Sequence, residues 1–258
     1  MGPENGLRRR EAGLSMLAAA AVAAMPDRAM TAPRSRPAFK VTEFVRRSPA
    51  LDEGGFADHW EKERAPLLLE LPGLDGLAFN RVLPSRSPGA PYDGVIEMWF
   101  ASEAAYRDAF DKADARVLVA LAEDWSRFAA GDAMAMTTNE VIILDRPTGR
   151  PAGRAKRVGL VGRHAGTSEA DFFREWRLHA KDASDQPGLV DYIINFRSSV
   201  RPPSMPWDGF AEMWWKDWDA FEQDRVTIRP ALGSRLAFFD AHQLLYVEES
   251  VARDPRSS

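Results

Sequence analysis

One short pattern of apolar and polar positions occurs twice in this chain. Tyr92-Asp-Gly-Val-Ile-Glu-Met-Trp-Phe100 returns as Trp207-Asp-Gly-Phe-Ala-Glu-Met-Trp-Trp215. Side chains alternate along a strand, so Val95, Glu97 and Trp99 point one way and Ile96, Met98 and Phe100 the other. Both faces are largely apolar, so both are expected to be buried. A glutamate inside such a run needs a partner.

The flanking sequence predicts a strand over 39–47, a loop over 48–55 and a helix over 56–71. Phe56, Trp60 and Glu63 then share one helix face, and Pro66 ends or kinks that helix. Strands follow at 77–82 and 94–100. Ser102 caps a helix running to 113, a second helical stretch covers 115–128, and a strand covers 140–144. The order repeats with a strand at 156–163, a helix from Ser168 to about 180, strands at 191–197 and 209–215, a helix opening at 217 and a strand at 243–247. The chain beyond 249 is expected to fray.

The copies align closely. Residues 40–56 match 156–172 without a gap, which pairs Arg47 with Arg163, Phe56 with Phe172 and Trp60 with Trp176, and sets Glu63 opposite His179. After one deletion Asn80 pairs with Asn195 and Glu97 with Glu212. The second copy is shorter in its second helical region, where a connection shortens without breaking a sheet. Each copy therefore reads β-α-β-β-α-β, a four-stranded antiparallel sheet with both helices on one face. Packing the two modules sheet to sheet buries the remaining faces. The expected fold class is α+β, with a first module over 38–145, a linker over 146–155, a second module over 156–250 and a tail over 251–258.

Residues 1–37 read as a leader and linker. Leu7-Arg-Arg-Arg10 is basic, residues 12–24 are small and apolar, and Ala21-Val22-Ala23 offers a cleavage site. The arginines resemble a twin-arginine export signal without its usual Phe-Leu pair, which points to the periplasm. The alternative is a cytoplasmic leader, or a true start at Met16, Met25 or Met30.

Composition narrows the chemistry. A net charge of −4 without a basic stripe argues against nucleic acid. The apolar run in the leader is too short to span a bilayer, so no membrane association is expected of the mature chain. The absence of cysteine removes disulfides, thiolate metal sites and thiol nucleophiles. The four histidines, His59, His164, His179 and His242, show no metal-binding spacing. No phosphate loop, nucleotide fingerprint or nucleophile elbow occurs.

A first strand ending in Arg, then Phe-x-x-x-Trp with His three residues later (Phe172, Trp176, His179), then Asn in strand two and Asp-Gly-x-x-Glu-x-Trp in strand three resembles the EthD-like family. That family lies within the dimeric α/β-barrel, ferredoxin-like superfamily. The resemblance implies a barrel closed by two modules. Here they would form a pseudo-dimer within one chain, and two such chains can still associate as a homodimer. It also implies cofactor-free chemistry on small, often aromatic molecules, although some relatives bind haem.

Within this frame His179 is the acid/base candidate, because an imidazole titrates near neutrality. Its alternative is a core histidine held by a backbone carbonyl. Glu63, with its charged form disfavoured by burial, is either a complementary acid or a helix-edge residue paired with Lys62 or Arg64. Glu97 and Glu212 are expected to pair with Arg47 and Arg163, either as structural ion pairs or at the mouth of a substrate pocket. Asn195, Tyr192, Trp176 and Trp214 complete the candidate substrate contacts, although an aromatic at the position of Trp214 is more often core than pocket wall. Asp93 and Asp208 read as turn formers, and His59 as solvated. The expected function is a cofactor-independent lyase, dehydratase or isomerase for a small hydrophobic, aromatic compound. The alternatives are a non-catalytic small-molecule binding module, or a haem-dependent oxidase with His179 or His242 as axial ligand.

Overall fold

The computed structural model describes residues 39–145, 153–201, 205–232 and 238–255. The leader expected over 1–37 and the first part of the linker lie outside them. Among the described residues no helix is long and apolar enough to cross a membrane.

The strands are β1 (Phe39–Val45), β2 (Leu74–Val82), β3 (Gly94–Phe100), β4 (Met134–Asp145), β5 (Ala155–Arg163), β6 (Leu189–Arg201), β7 (Gly209–Trp215) and β8 (Phe239–Arg253). They close into one barrel in the order β1-β3-β2-β8-β5-β7-β6-β4. Each module contributes a four-stranded antiparallel sheet, β4-β1-β3-β2 and β8-β5-β7-β6. The two sheets face each other across the lumen, and β2–β8 and β4–β6 join their edges. Closure leaves no sheet edge unpaired.

The seams explain the strand lengths. β4, β6 and β8 are longer than their apolar cores predict, because each finds a hydrogen-bonding neighbour in the other module. The frayed tail expected after 249 is corrected here. β8 runs to Arg253, which pairs with Leu77. The residues expected as a loop from 198 likewise continue β6 to Arg201.

Helices cover the outside of each sheet. In the first module these are α1 (Glu53–His59), a π-helical turn (Trp60–Arg64), α2 (Ala65–Leu69), α3 (Glu103–Asp111) and α4 (Ala115–Phe128). In the second they are α5 (Glu169–Ala183) and α6 (Trp218–Leu232). Asp52, Ser102, Asp114 and Ser168 cap α1, α3, α4 and α5 with side-chain oxygens. Pro66 lies within α2 and does not end the helix; the wider π turn lies just before it.

The alternation read from the repeat holds. All seven residues of β3 and of β7 are buried. Ile96, Met98 and Phe100 pack under the first module's helices with Phe56 and Trp60. Ala211, Met213 and Trp215 take the matching places with Phe172 and Trp176. Val95 and Phe210 point inward and join Phe44, Val158 and Leu245 in the lumen.

The repeated Asp-Gly has a reason beyond turning. Asp93 and Asp208 accept from the backbone N–H of Arg47 and Arg163, tying the end of each first strand to the start of the third. The following glycines lie under the helix tryptophans. A Cβ on Gly94 would sit 1.9 Å from the Trp60 ring, and one on Gly209 2.8 Å from the Trp176 ring.

Gly94→Ala and Gly209→Ala should therefore each lower stability by about 1–3 kcal/mol, the usual cost of overpacking. Gly54→Ala, with only ordinary contact at 3.7 Å, should stay near wild type. Urea denaturation midpoints of the three variants check this.

Candidate functional site

A cavity of about 460 Å³ lies between the outer face of the second sheet and helices α5 and α6. β5 lines it with Arg157 and Gly159, β6 with Tyr192, and β7 with Met213 and Trp215. α5 contributes Trp176 and His179, four and seven residues after the buried Phe172 and so on the same helical face. Phe238 packs against His179 with ring centroids 5.8 Å apart.

Charge and hydrogen bonding concentrate on one wall. Burial raises the Tyr192 phenol to about 12, against the opposing pull of Arg157 and of a hydrogen bond from Trp176. Burial also depresses Arg157 below the usual guanidinium range, while Tyr246 and Tyr192 partly restore it. The Arg157 guanidinium touches the Met213 sulfur and lies 5.4 Å from the Trp215 ring. Asp224 is fixed apart from this group. Its carboxylate accepts from the Trp215 indole and the Gly188 backbone N–H, both at 3.0 Å. The arrangement offers an imidazole, a phenol and a guanidinium inside aromatic walls.

The repeat register shows why this space is open in one module and filled in the other. Gly159 and Ala211 stand where the first module has Glu43 and Ile96, and Ala183 stands where it has Leu68 once the extra residue of the π turn is counted. Arg157 and Tyr192 stand where it has Val41 and Leu77, both in its hydrophobic core. Helix α4 belongs to the region that the second module lacks, and its Val117, Leu121 and Phe128 pack into that core.

Glu63 is corrected on the same ground. It is exposed, and Arg64 takes the inward position. The π turn widens the helix between Trp60 and Arg64 and carries Glu63 off the apolar face. Arg64 donates to the Leu121 carbonyl at 2.9 Å and lies 3.4 Å from Asp124 and 3.7 Å from Glu43. His59, expected in solvent, instead bonds Asp124 at 2.7 Å because α4 folds over it.

Glu97, Glu212, Asn195 and Trp214 belong to the barrel lumen, not to the cavity. There Lys40 and Lys156, neither anticipated as a partner, sit fully buried between the two modules. Lys40 is 2.5 Å from Glu97, also contacts Glu212, and is 3.2 Å from Glu140. Lys156 is 2.8 Å from both Glu97 and Glu212 and 2.9 Å from Glu249. Asn80 donates to Glu97 at 2.8 Å and Asn195 to Glu212 at 2.9 Å. The Trp99 and Trp214 indoles donate to Glu140 and Glu249, and their rings lie beneath the two ammonium groups.

The arginines expected as partners of these glutamates end the strands instead. Arg47 lies 3.8 Å from Asp93, and Arg163 3.7 Å from Asp208.

Burial alone would depress both lysines, but the surrounding carboxylates outweigh it and raise them above the ordinary lysine range. Burial and the charge of Glu212 push Glu97 up. Burial also opposes ionisation of Glu212, yet Lys156 and Lys40 overcome it and hold that carboxyl well below the usual range. The pair is hydrogen bonded and titrates as a unit. Among the described residues no cluster of three or more histidines and carboxylates is placed to hold a metal ion.

Residues 48–132 match the family model described as the EthD domain, so the resemblance read from the motifs holds for the first module. A proposed monooxygenase from Fusobacterium nucleatum subsp. nucleatum ATCC 25586 superposes with a TM-score of 0.59 at 8% identity, over 85% of this chain and 95% of its own. An anthrone oxidase-like protein gives 0.57 at 11% identity, over 85% and 95%. A proposed monooxygenase from Lactobacillus acidophilus NCFM gives 0.51 at 10%, over 85% and 97%. At these identities the likeness establishes the fold, a dimeric-type α/β barrel. No curated protein matches the chain.

Two outcomes follow from the buried groups. Lys40→Met should cost about 3–5 kcal/mol in urea unfolding, because it strands carboxylates inside the barrel; a loss under about 1 kcal/mol would contradict the cluster. Above pH about 10 an unfolded chain releases phenol and ammonium protons that the folded barrel retains, so stability should fall as pH rises toward 12. Tyr192→Phe should flatten that fall in a pH series of denaturation midpoints.

Proposed function

We propose that this chain is an enzyme that moves a proton on a small, hydrophobic, aromatic compound held in the cavity of the second module. One observation carries the reading. The cavity brings His179, Tyr192 and Arg157 together within aromatic walls, where the first module has Arg64, paired with Asp124, and the apolar Leu77 and Val41. His179 takes the proton, since a neutral imidazole is a competent base at neutral pH. Trp176, Trp215 and Phe238 hold the ring of the substrate, and Tyr192 and Arg157 face the oxygen on which charge develops. Elimination or rearrangement then completes a lyase, dehydratase or isomerase reaction.

A second reading shares the first step. A carbanion or phenolate formed by His179 can react with dioxygen instead, and the anthrone oxidase-like neighbour favours keeping that outcome open. Oxygen uptake during turnover separates the two. A lyase or isomerase runs unchanged without oxygen, and an oxygenase stops. A haem-dependent oxidation, with His179 or His242 as axial ligand, would show as a visible absorption band in the purified protein. Capture of the compound without conversion would instead indicate a binding module.

His179→Ala should reduce kcat by about 10²-fold or more with the circular dichroism spectrum unchanged. His179→Gln should fail equally and lose the neutral-pH limb of the kcat/KM profile. Turnover retained in both variants would overturn the assignment.

A further inference from the structure

Among the described residues the buried cations are neutralised, with one exception on the cavity wall. Lys40 and Lys156 contact Glu97 and Glu212. Arg64 lies 3.4 Å from Asp124, and Arg154 2.7 Å from Asp191. Arg157, partly buried, has no carboxylate within ion-pairing distance among the described residues. Its surroundings are the Met213 sulfur, the Trp215 ring and the hydroxyls of Tyr192 and Tyr246.

The scaffold itself does not require a cation at this place. Val41 occupies the equivalent position in the first module, buried to 2% exposure in an apolar core. The acid that lines the cavity, Asp224, is already engaged by Trp215 and Gly188. A desolvated guanidinium without a counter-ion favours an anion, and its planar fork fits two oxygens of a carboxylate or a single ionised hydroxyl.

We infer that the second-module cavity selects aromatic compounds bearing an anionic oxygen, a carboxylate or an ionised phenol or enol, through Arg157. The inference rests on the reading that this cavity is the substrate site, and it names the class of compound taken there. The aromatic walls bind the ring, Arg157 binds the charge, and the hydroxyls of Tyr192 and Tyr246 can donate to the same oxygen. This gives Arg157 a specificity role distinct from proton transfer by His179.

The test is binding, measured apart from turnover. Quenching of tryptophan fluorescence is followed with 2-naphthoate, with the neutral 2-naphthamide and with 4-nitrophenol, whose yellow ionised form reports its own charge state. Wild type should bind the carboxylate about tenfold or more tighter than the amide, and should shift 4-nitrophenol toward its ionised form. Arg157→Met should fold, because the first module carries an apolar residue there, and should lose both effects. Arg157→Lys keeps a charge without the fork and should retain a reduced preference. His179→Gln should leave the preference intact. Equal affinities for carboxylate and amide in wild type, or an undiminished preference in Arg157→Met, would overturn the inference. Because His179 governs turnover and Arg157 the charge preference, failure of one leaves the other measurable.

Discussion

Each buried lysine in the lumen reaches glutamates of both modules, and the barrel depends on that exchange. Lys40 lies on β1 and contacts Glu212 on β7; Lys156 lies on β5 and contacts Glu97 on β3. A lone module would bury its lysine against half of this set. Breaking one partner of such a cluster leaves a charge in low dielectric, which is far costlier than the net gain from the intact set. The cluster thereby ties seam formation to register. A one-residue slip at β2–β8 or β4–β6 would turn the inward side chains outward.

Much of this architecture is legible in the sequence. The repeated Asp-Gly-x-x-Glu-Met-Trp marked the third strand of each half, and its two apolar faces required a second sheet. Helix capping at Ser102 and Ser168 read correctly. Strand ends at the seams did not, since they are set by neighbours in the other module and not by local apolar pattern. The partners of Glu97 and Glu212 were misassigned for a reason that side-chain parity exposes. Lys40 and Thr42 alternate inward with Glu97, whereas Arg47 lies past the end of β1 beside Asp93. The same period of two along β1 puts Lys40 and Thr42 on the inward face.

The candidate site was legible in half. His179, Trp176 and Tyr192 do meet in one cavity. Glu63 does not have a matching role, because a π turn cannot be seen in helical periodicity and it moves Arg64 into the inward place. Arg157 was missed although the alignment contains its signal, a valine in one copy opposite an arginine in the other. Within a duplicated scaffold, positions where an apolar core residue becomes a charged one stand out as departures that packing does not demand. Gly159 carries the same message in reverse, since the loss of a side chain there opens room that Glu43 closes in the first module.

Duplication thus supplied a barrel that needs both halves, while the proposed site lies in the cavity of the second. The first module keeps helix α4 and a filled interior; the second, with a shorter connection, keeps space beneath α5 and α6. A crystal structure of the protein soaked with 2-naphthoate tests this division most directly. The account predicts the naphthalene between α5 and the outer face of β5 and β7, with its carboxylate on Arg157. Density beneath α4, or in the barrel lumen beside Lys40 and Lys156, would contradict it.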